Sequence, residues 1–512
     1  MKKADNIDSK LSEEQPEGKA ATNYNHVMKS TGMLGGVQAF YIAMSIVRNK
    51  LTAILIGTAG MGLADLYCRT LELLGNTTNF GIAFSAVRRL SSLYEENDHR
   101  ELAHYVRLVR TWTFITAIFG ALVCLAFSPL ISQLTTDSYE HTLTYCLLAP
   151  AVAFTTLAGG EIAILKGMRR LKNLALVSAA GALGTVIITV PLYAAFGLKG
   201  ILPVIIGTTG LTFFLNLHEA CRMFPYRISP LRLHFVRQGG MMLRLGAAYI
   251  AAGIVGSSAE LLVRTIIVDS ESGYDMVGLY AAGLTLTVSY ARLIFVAMDA
   301  DYFPRISAAM GDRERMNDTI NQQIDILVLL MAPFLILFAI CLPIIVPLLY
   351  TSEFLAVVPM VLCALPYMFF KAVYSPIAYL PLAGGKSKLY LFAEFMYYVV
   401  FSLFVTMGYT YGGLVGAGLG LSAANLCDLI FLPLIYSHVF GFHFNAKTSR
   451  RCLTQGILLI MAMAGCALPY LWTQVGTLII FALSCWFSWR FLQHETAVIS
   501  KIQRIFGRFK KK

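Results

Sequence analysis

Apolar runs about twenty residues long recur along this chain between residues 33 and 490, separated by short polar segments. A helix needs about 20 apolar residues to cross roughly 30 Å of hydrocarbon. The runs place spans near 33–56, 62–86, 111–131, 143–164, 174–196, 200–220, 242–268, 276–300, 323–350, 355–380, 389–410, 413–439, 453–471 and 474–490. The pattern predicts an all-α integral membrane protein with about 14 transmembrane helices. No segment between spans is long enough to bury a core of its own.

Charge tests that count, because Lys and Arg collect in alternate loops, on the cytoplasmic side. Nearly all of the 41 basic residues lie in the first tail, in 88–110, 166–172, 222–244, 305–315, 386–388 and 447–451, and in the tail from Arg490. The intervening loops hold only Lys199. Both termini are therefore expected in the cytoplasm. Composition agrees, at 57% hydrophobic and 14% charged, outside the range of an ordinary soluble domain. The net charge of +12 follows this topology and calls for no nucleic-acid partner. Residues 1–29 lack the apolar region of a signal peptide and read as a disordered cytoplasmic tail. The ten cysteines form no CxxC, so no disulfide framework, metal site or cofactor is expected. Residues 491–512 space Ile499, Ile502, Ile505, Phe506 and Phe509 at helical intervals among cations, a basic amphipathic tail suited to an anionic leaflet.

One offset of 216 residues relates Arg48 to Arg264, Gly62-Leu63 to Gly278-Leu279, Arg89 to Arg305, Ser91 to Ser307, Arg170 to Lys386, and Lys172 to Lys388. It also relates Gly197-Leu198-x-Gly200 to Gly413-Leu414-x-Gly416. A shared offset suggests a duplicated bundle, as in transporters built from parallel repeats. The chain divides into a six-helix lobe at 30–222, a basic linker at 223–240 with two prolines and a glycine pair, and a second six-helix lobe at 241–440. A further helix pair occupies 441–490.

A charge near the bilayer centre costs at least about 2.5 kcal/mol on insertion scales, so it faces a cavity or a partner. Arg48, Lys50, Arg264, Arg292 and Lys371 are the candidate cations for a phosphorylated lipid, arginine above all, whose planar fork donates two parallel hydrogen bonds to a phosphate. The plainer reading is that Arg48 and Arg264 snorkel or pair with acids. Glu260 stands four residues before Arg264, and Asp65 and Glu72 flank Arg69 at helical spacing. Glu161, Glu394 and Asp428 have no such neighbour. With Glu260 they are the candidates for coupling a proton or sodium ion, unless each meets a cation on a neighbouring helix. Prolines within spans, Pro191, Pro333 and Pro376 among them, mark kinks, and Trp112, Trp472, Trp486 and Trp489 fall at span ends as an interfacial belt would. No nucleophile and base pairing stands out, so a transporter is expected rather than an enzyme.

Several segments resemble one family, the Wzx-type polysaccharide (O-antigen) flippases of the superfamily that also holds MATE drug exporters and lipid II flippases. They are 55–63 (LIGTAGMGL), similar to the family's LG-P-x-G-x-GL turn with Thr58 in place of proline; 277–280 (VGLY) with 302–307 (YFPRIS); 348–354 (LLYTSEF); and 384–388 (GGKSK) before Glu394. The resemblance implies a flippase moving undecaprenyl-pyrophosphate-linked oligosaccharide from the inner to the outer leaflet of a bacterial cytoplasmic membrane. It implies a central cavity for glycan and pyrophosphate, a lateral opening for the polyprenyl tail, and lobes that rock between two states. Implied partners are the lipid-linked substrate, the bilayer, and the polymerase and glycosyltransferases of the same pathway. A cation-coupled drug antiporter and a lipid II flippase are the alternatives.

Overall fold

The computed structural model describes residues 17–96, 98–228, 233–269, 273–289, 292–468 and 470–495. Among them every regular element is helical, in the order α1 (Glu17–Thr78), α2 (Ile82–Glu95), α3 (His99–Thr136), α4 (Thr142–Leu147), α5 (Ala149–Gly167), α6 (Leu171–Phe196), α7 (Ile201–Cys221), α8 (Leu233–Val268), α9 (Gly273–Leu284), α10 (Arg292–Ala309), α11 (Arg313–Leu349), α12 (Val358–Ala378), α13 (Leu380–Ala383), α14 (Ser387–Phe440), α15 (Ala446–Ala467) and α16 (Leu471–Glu495). α1 begins inside the segment expected to be disordered as far as residue 29, where Lys19, Ala20 and Ala21 favour helix. The basic tail beyond Glu495 lies outside the described residues.

Among the described residues, eight stretches are long and apolar enough to cross a membrane, fewer than the fourteen spans read from the sequence. Three of the eight, 40–78, 172–221 and 387–440, contain a glycine reversal and hold two expected spans each, while α9 with α10, α15 and α16 are not among the eight. α1 reverses at Gly57 (φ 66°, ψ −168°), α6 passes to α7 at Gly197 (φ 53°, ψ −129°), and α14 reverses at Gly413 (φ 57°, ψ −143°). Glycine enters this region at no steric cost. Gly57 and Gly273, Arg169 and Gly385, and Gly197 and Gly413 all have positive φ, and each pair is separated by the repeat offset. The duplication is thus written in the backbone as well as in the residues. The arms of α14 touch closely: a Cβ on Gly408 would stand 2.1 Å from the carbonyl oxygen of Gly416.

Tyr280, Ile336, Phe354 and Leu365 fill the core of the second lobe. Tyr67, Tyr145 and Val152, with a separate group around Leu90, Val106 and Ile164, fill the first. Leu122, Ile187, Ile344 and Leu453 stand exposed on outward faces, the surface that lipid requires. α15 is tied to α11 by the buried pair of Arg451 and Asp325, and to α16 by Gln455 with Ser484 and Ser488.

Candidate functional site

The lobes meet where α1 crosses α9. A Cβ on Gly62 would stand 1.9 Å from the carbonyl oxygen of Tyr274, and one on Gly278 would stand 2.1 Å from that of Thr58. Gly62 and Gly278 are repeat partners, and so are Thr58 and Tyr274, so the contact is reciprocal about an axis between the lobes. Only glycine allows two backbones this close. Beside it the Thr58 hydroxyl donates to Asp275, and His141 bridges the hydroxyls of Tyr67 at 2.7 Å and Tyr274 at 2.9 Å. Burial holds the His141 imidazole below its ordinary value, so near neutral pH one ring nitrogen donates and the other accepts. Lys50 donates to the carbonyl oxygens of Pro347, at 2.6 Å, and Tyr350. These belong to the end of α11, where carbonyls lack helical partners and the dipole is negative. Lys50 therefore caps a helix of the opposite lobe, a correction to its expected role at the substrate. These contacts join the two lobes at the Gly57 end of the molecule.

Arg264 lies on the same seam and is fully buried. It donates to Asp65 across the seam, to the Glu260 carboxylate at 2.6 Å and to the Glu260 carbonyl oxygen at 2.8 Å. Two carboxylates neutralise it and spare the cost of a lone buried charge. Arg264 is not placed to clamp a phosphate, and Glu260 is engaged in holding it.

Each lobe encloses a cavity. The first, about 650 Å³, lies among α1, α5, α6 and α7; the second, about 560 Å³, lies among α8, α9, α12 and α14. Their linings correspond through the repeat. Thr155, Gly159, Ser178, Gly181, Thr185 and Thr212 line the first, and Lys371, Ser375, Glu394, Tyr397, Phe401 and Asp428 stand at the equivalent positions of the second. One duplicated cavity has thus acquired two chemistries. Arg48 lines the first cavity as its one formal charge, and it donates a hydrogen bond to the side chain of Asn49 at 3.3 Å. In the second, Lys371 sits over the rings of Phe295 and Tyr367 and shares the space with Glu394 and Asp428, and Arg69 and Glu260 complete the wall.

A family model described as polysaccharide biosynthesis protein matches residues 79–359. The chain belongs to that family. No curated protein matches it. Among solved structures it is similar to the lipid II flippase MurJ in an inward closed conformation, at 15% identity and a TM-score of 0.65, over 90% of this chain and 99% of that one. It is similar to an inward-facing multidrug resistance MATE family transporter of the MOP superfamily, at 14% identity and a TM-score of 0.62, over 78% and 95%. A MOP superfamily transporter from Pyrococcus furiosus matches at 12% identity and a TM-score of 0.54, over 80% and 95%. These likenesses establish a multi-pass transporter fold.

In this polysaccharide biosynthesis protein the remaining expectations sort by contact. Glu161 is no lone acid: Arg110 holds it with two bonds of 2.8 Å, both residues being buried. The same guanidinium donates to the carbonyl oxygens of Phe224 and Pro225 at the start of the interlobe linker, and it lies over the ring of Tyr226. Glu161 thus meets a cation on a neighbouring helix and holds the arginine that reaches the linker. Sequence reading missed this because Arg110 sits at a span edge and was counted with a loop. Arg110→Ala strands Glu161 and should cost about 3–5 kcal/mol, read as a lower melting temperature in detergent. Arg110→Ala with Glu161→Gln should recover part of it, and equal melting of Arg110→Ala and the wild type would refute the pairing. The side chain of Arg292 lies outside the described residues. Asn79 and Asn216, which line the first cavity, were also missed, since neutral amides do not register in a search for charge.

Proposed function

We propose that this protein flips a polyprenyl-pyrophosphate-linked oligosaccharide, the repeat of an O-antigen or another surface polysaccharide, across a bacterial cytoplasmic membrane. The observation that carries the reading is Arg48, a cation inside the bundle that lines a cavity without an acid beside it. A half-buried cation so placed suits an anionic ligand, and its fork suits phosphate. Support also comes from the family and from the transporter fold. The Gly57 end, where the lobes are joined, fits one state of an alternating cycle, in which the two lobes rock about their seam and expose the cavities to each leaflet in turn. The charge alternation puts that end outside and both termini in the cytoplasm. The polymerase and glycosyltransferases of the same pathway are the natural partners.

The second cavity supplies the drive in this scheme. Glu394 and Asp428 face Lys371 in a space whose first-lobe equivalents are Ser178, Thr212 and Thr155. A proton or sodium ion bound between the acids lets a gradient bias the two states. The test is reconstitution into liposomes with lipid-linked oligosaccharide extracted from bacterial membranes. Wild-type protein should move the lipid, and an imposed proton or sodium gradient should change the rate. Asp428→Asn should retain gradient-independent movement and lose the response. Absence of movement by the wild type overturns the reading, and a gradient response that survives in Asp428→Asn and in Glu394→Gln overturns the coupling assignment.

A further inference from the structure

Among the apolar residues that line the first cavity stand several polar groups whose remaining capacity is to accept hydrogen bonds. The hydroxyls of Thr155, Ser178, Thr185 and Thr212 each donate to the backbone carbonyl four residues earlier, at 2.8, 2.9, 2.8 and 2.9 Å. Their protons are used, and only lone pairs remain to offer. Asn216 is 3% exposed, and its amide nitrogen donates to the Thr212 carbonyl at 2.8 Å. Its carbonyl oxygen is buried with no partner, and so is that of Asn79. A buried acceptor left unmet costs about 1–3 kcal/mol, and both residues line this cavity, so a donor group that reached these oxygens from it would recover that cost.

The acceptors and the cation are separated along the bundle. Arg48 stands nine residues before the Gly57 reversal and Asn79 twenty-two after it. At 1.5 Å per residue that difference is about 20 Å along the axis. An anionic group at Arg48 and a donor group at Asn79 and Asn216 therefore belong to an extended ligand, longer than one sugar ring. Small side chains keep this path open: Gly181, Ala182 and Thr185 line the first cavity where Tyr397, Tyr398 and Phe401 line the second.

We infer that the first-lobe cavity is the glycan receptor, with phosphate at Arg48 and the hydroxyl or N-acyl amide protons of more distant sugars on the carbonyl oxygens of Asn79 and Asn216. This rests on the flippase reading and adds to it the lobe, the orientation and two residues that select the glycan. A cationic amphiphile fits poorly, because it meets Arg48 with like charge.

The test uses the full chain in lipid nanodiscs and two probes, bare undecaprenyl pyrophosphate and the lipid-linked oligosaccharide extracted from host membranes in which this chain is deleted. Wild-type protein should bind the glycan-bearing lipid at least about tenfold more tightly, the scale of one unmet buried acceptor being satisfied. Asn216→Leu, and Asn79→Leu with it, should bring the ratio of the two affinities near one. Ser178→Leu, which fills the cavity from an exposed position, should do the same without touching a buried amide, so that a folding defect in the asparagine variants does not decide the outcome. A ratio that stays at its wild-type value in all of these places the glycan elsewhere and overturns the inference alone. Failure of the wild type to bind either probe overturns the flippase reading, and the inference with it.

Discussion

Arg48→Ala should lower surface polysaccharide export by about ten- to a hundredfold while the protein remains in the membrane at its normal level. A hydrogen bond to a charged group contributes about 1.5–3 kcal/mol, which at 1.4 kcal/mol per decade gives that range. Abundance should hold because Arg48 neutralises no carboxylate: its hydrogen bond is to Asn49. Arg48→Lys should recover little, since an ammonium offers a point charge in place of a fork. Arg264→Ala should behave differently although it occupies the equivalent position. It takes the buried partner from Glu260 and leaves Asp65 with Arg69 alone, at 3.4 Å, so the expected loss is of folded protein, on the order of 3 kcal/mol. Export assays read beside membrane immunoblots separate the two. Normal export by Arg48→Ala would remove the anion-binding role, and equal abundance of Arg264→Ala and the wild type would remove the structural one.

The second large effect is expected at the interlobe crossing. Gly62→Ala would put a methyl carbon 1.9 Å from the carbonyl oxygen of Tyr274, and Gly278→Ala would put one 2.1 Å from that of Thr58. Both obstacles are backbone, so the helices must part by more than 1 Å. The Gly57 end then fails to close, and the bridges from Thr58 to Asp275 and from His141 to Tyr274 part with it. Each variant should lose most export, and a cysteine placed at Thr58, in a background without the ten native cysteines, should react faster with an impermeant maleimide. The double variant should be little worse than either single one, because one displacement relieves both contacts, a failure of additivity expected of groups that touch the same surface. Full export by both single variants, with the reactivity at position 58 unchanged, would show that closure at this point plays no part in transport.

These two cases show how far residue types lead. Arg48 and Arg264 are twins in sequence, and the repeat offset makes a common role attractive. Their fates part because Asp65, on another helix, reaches only one of them. Glu161 likewise looked solitary until α3 brought Arg110 to it, and Lys50 looked like a ligand-binding cation until α11 presented its terminal carbonyls. For Glu260 the spacing to Arg264 already showed the pairing.

The sequence by itself determined the membrane class, the helical architecture and the duplication. Apolar run length, alternation of Lys and Arg, and turn glycines act locally, and lipid leaves a backbone few choices. Family was legible too, in turn motifs that shape the chain between spans. Tertiary structure alone decided which charges are spent on one another and which face open space. It revealed that the repeat carries a cavity in each lobe, lined by hydroxyls and Arg48 in one and by Lys371, Glu394 and Asp428 in the other. The physical reason is that a charge inside a bilayer is satisfied by whichever helix packs against it, and that neighbour is set by the fold rather than by position along the chain.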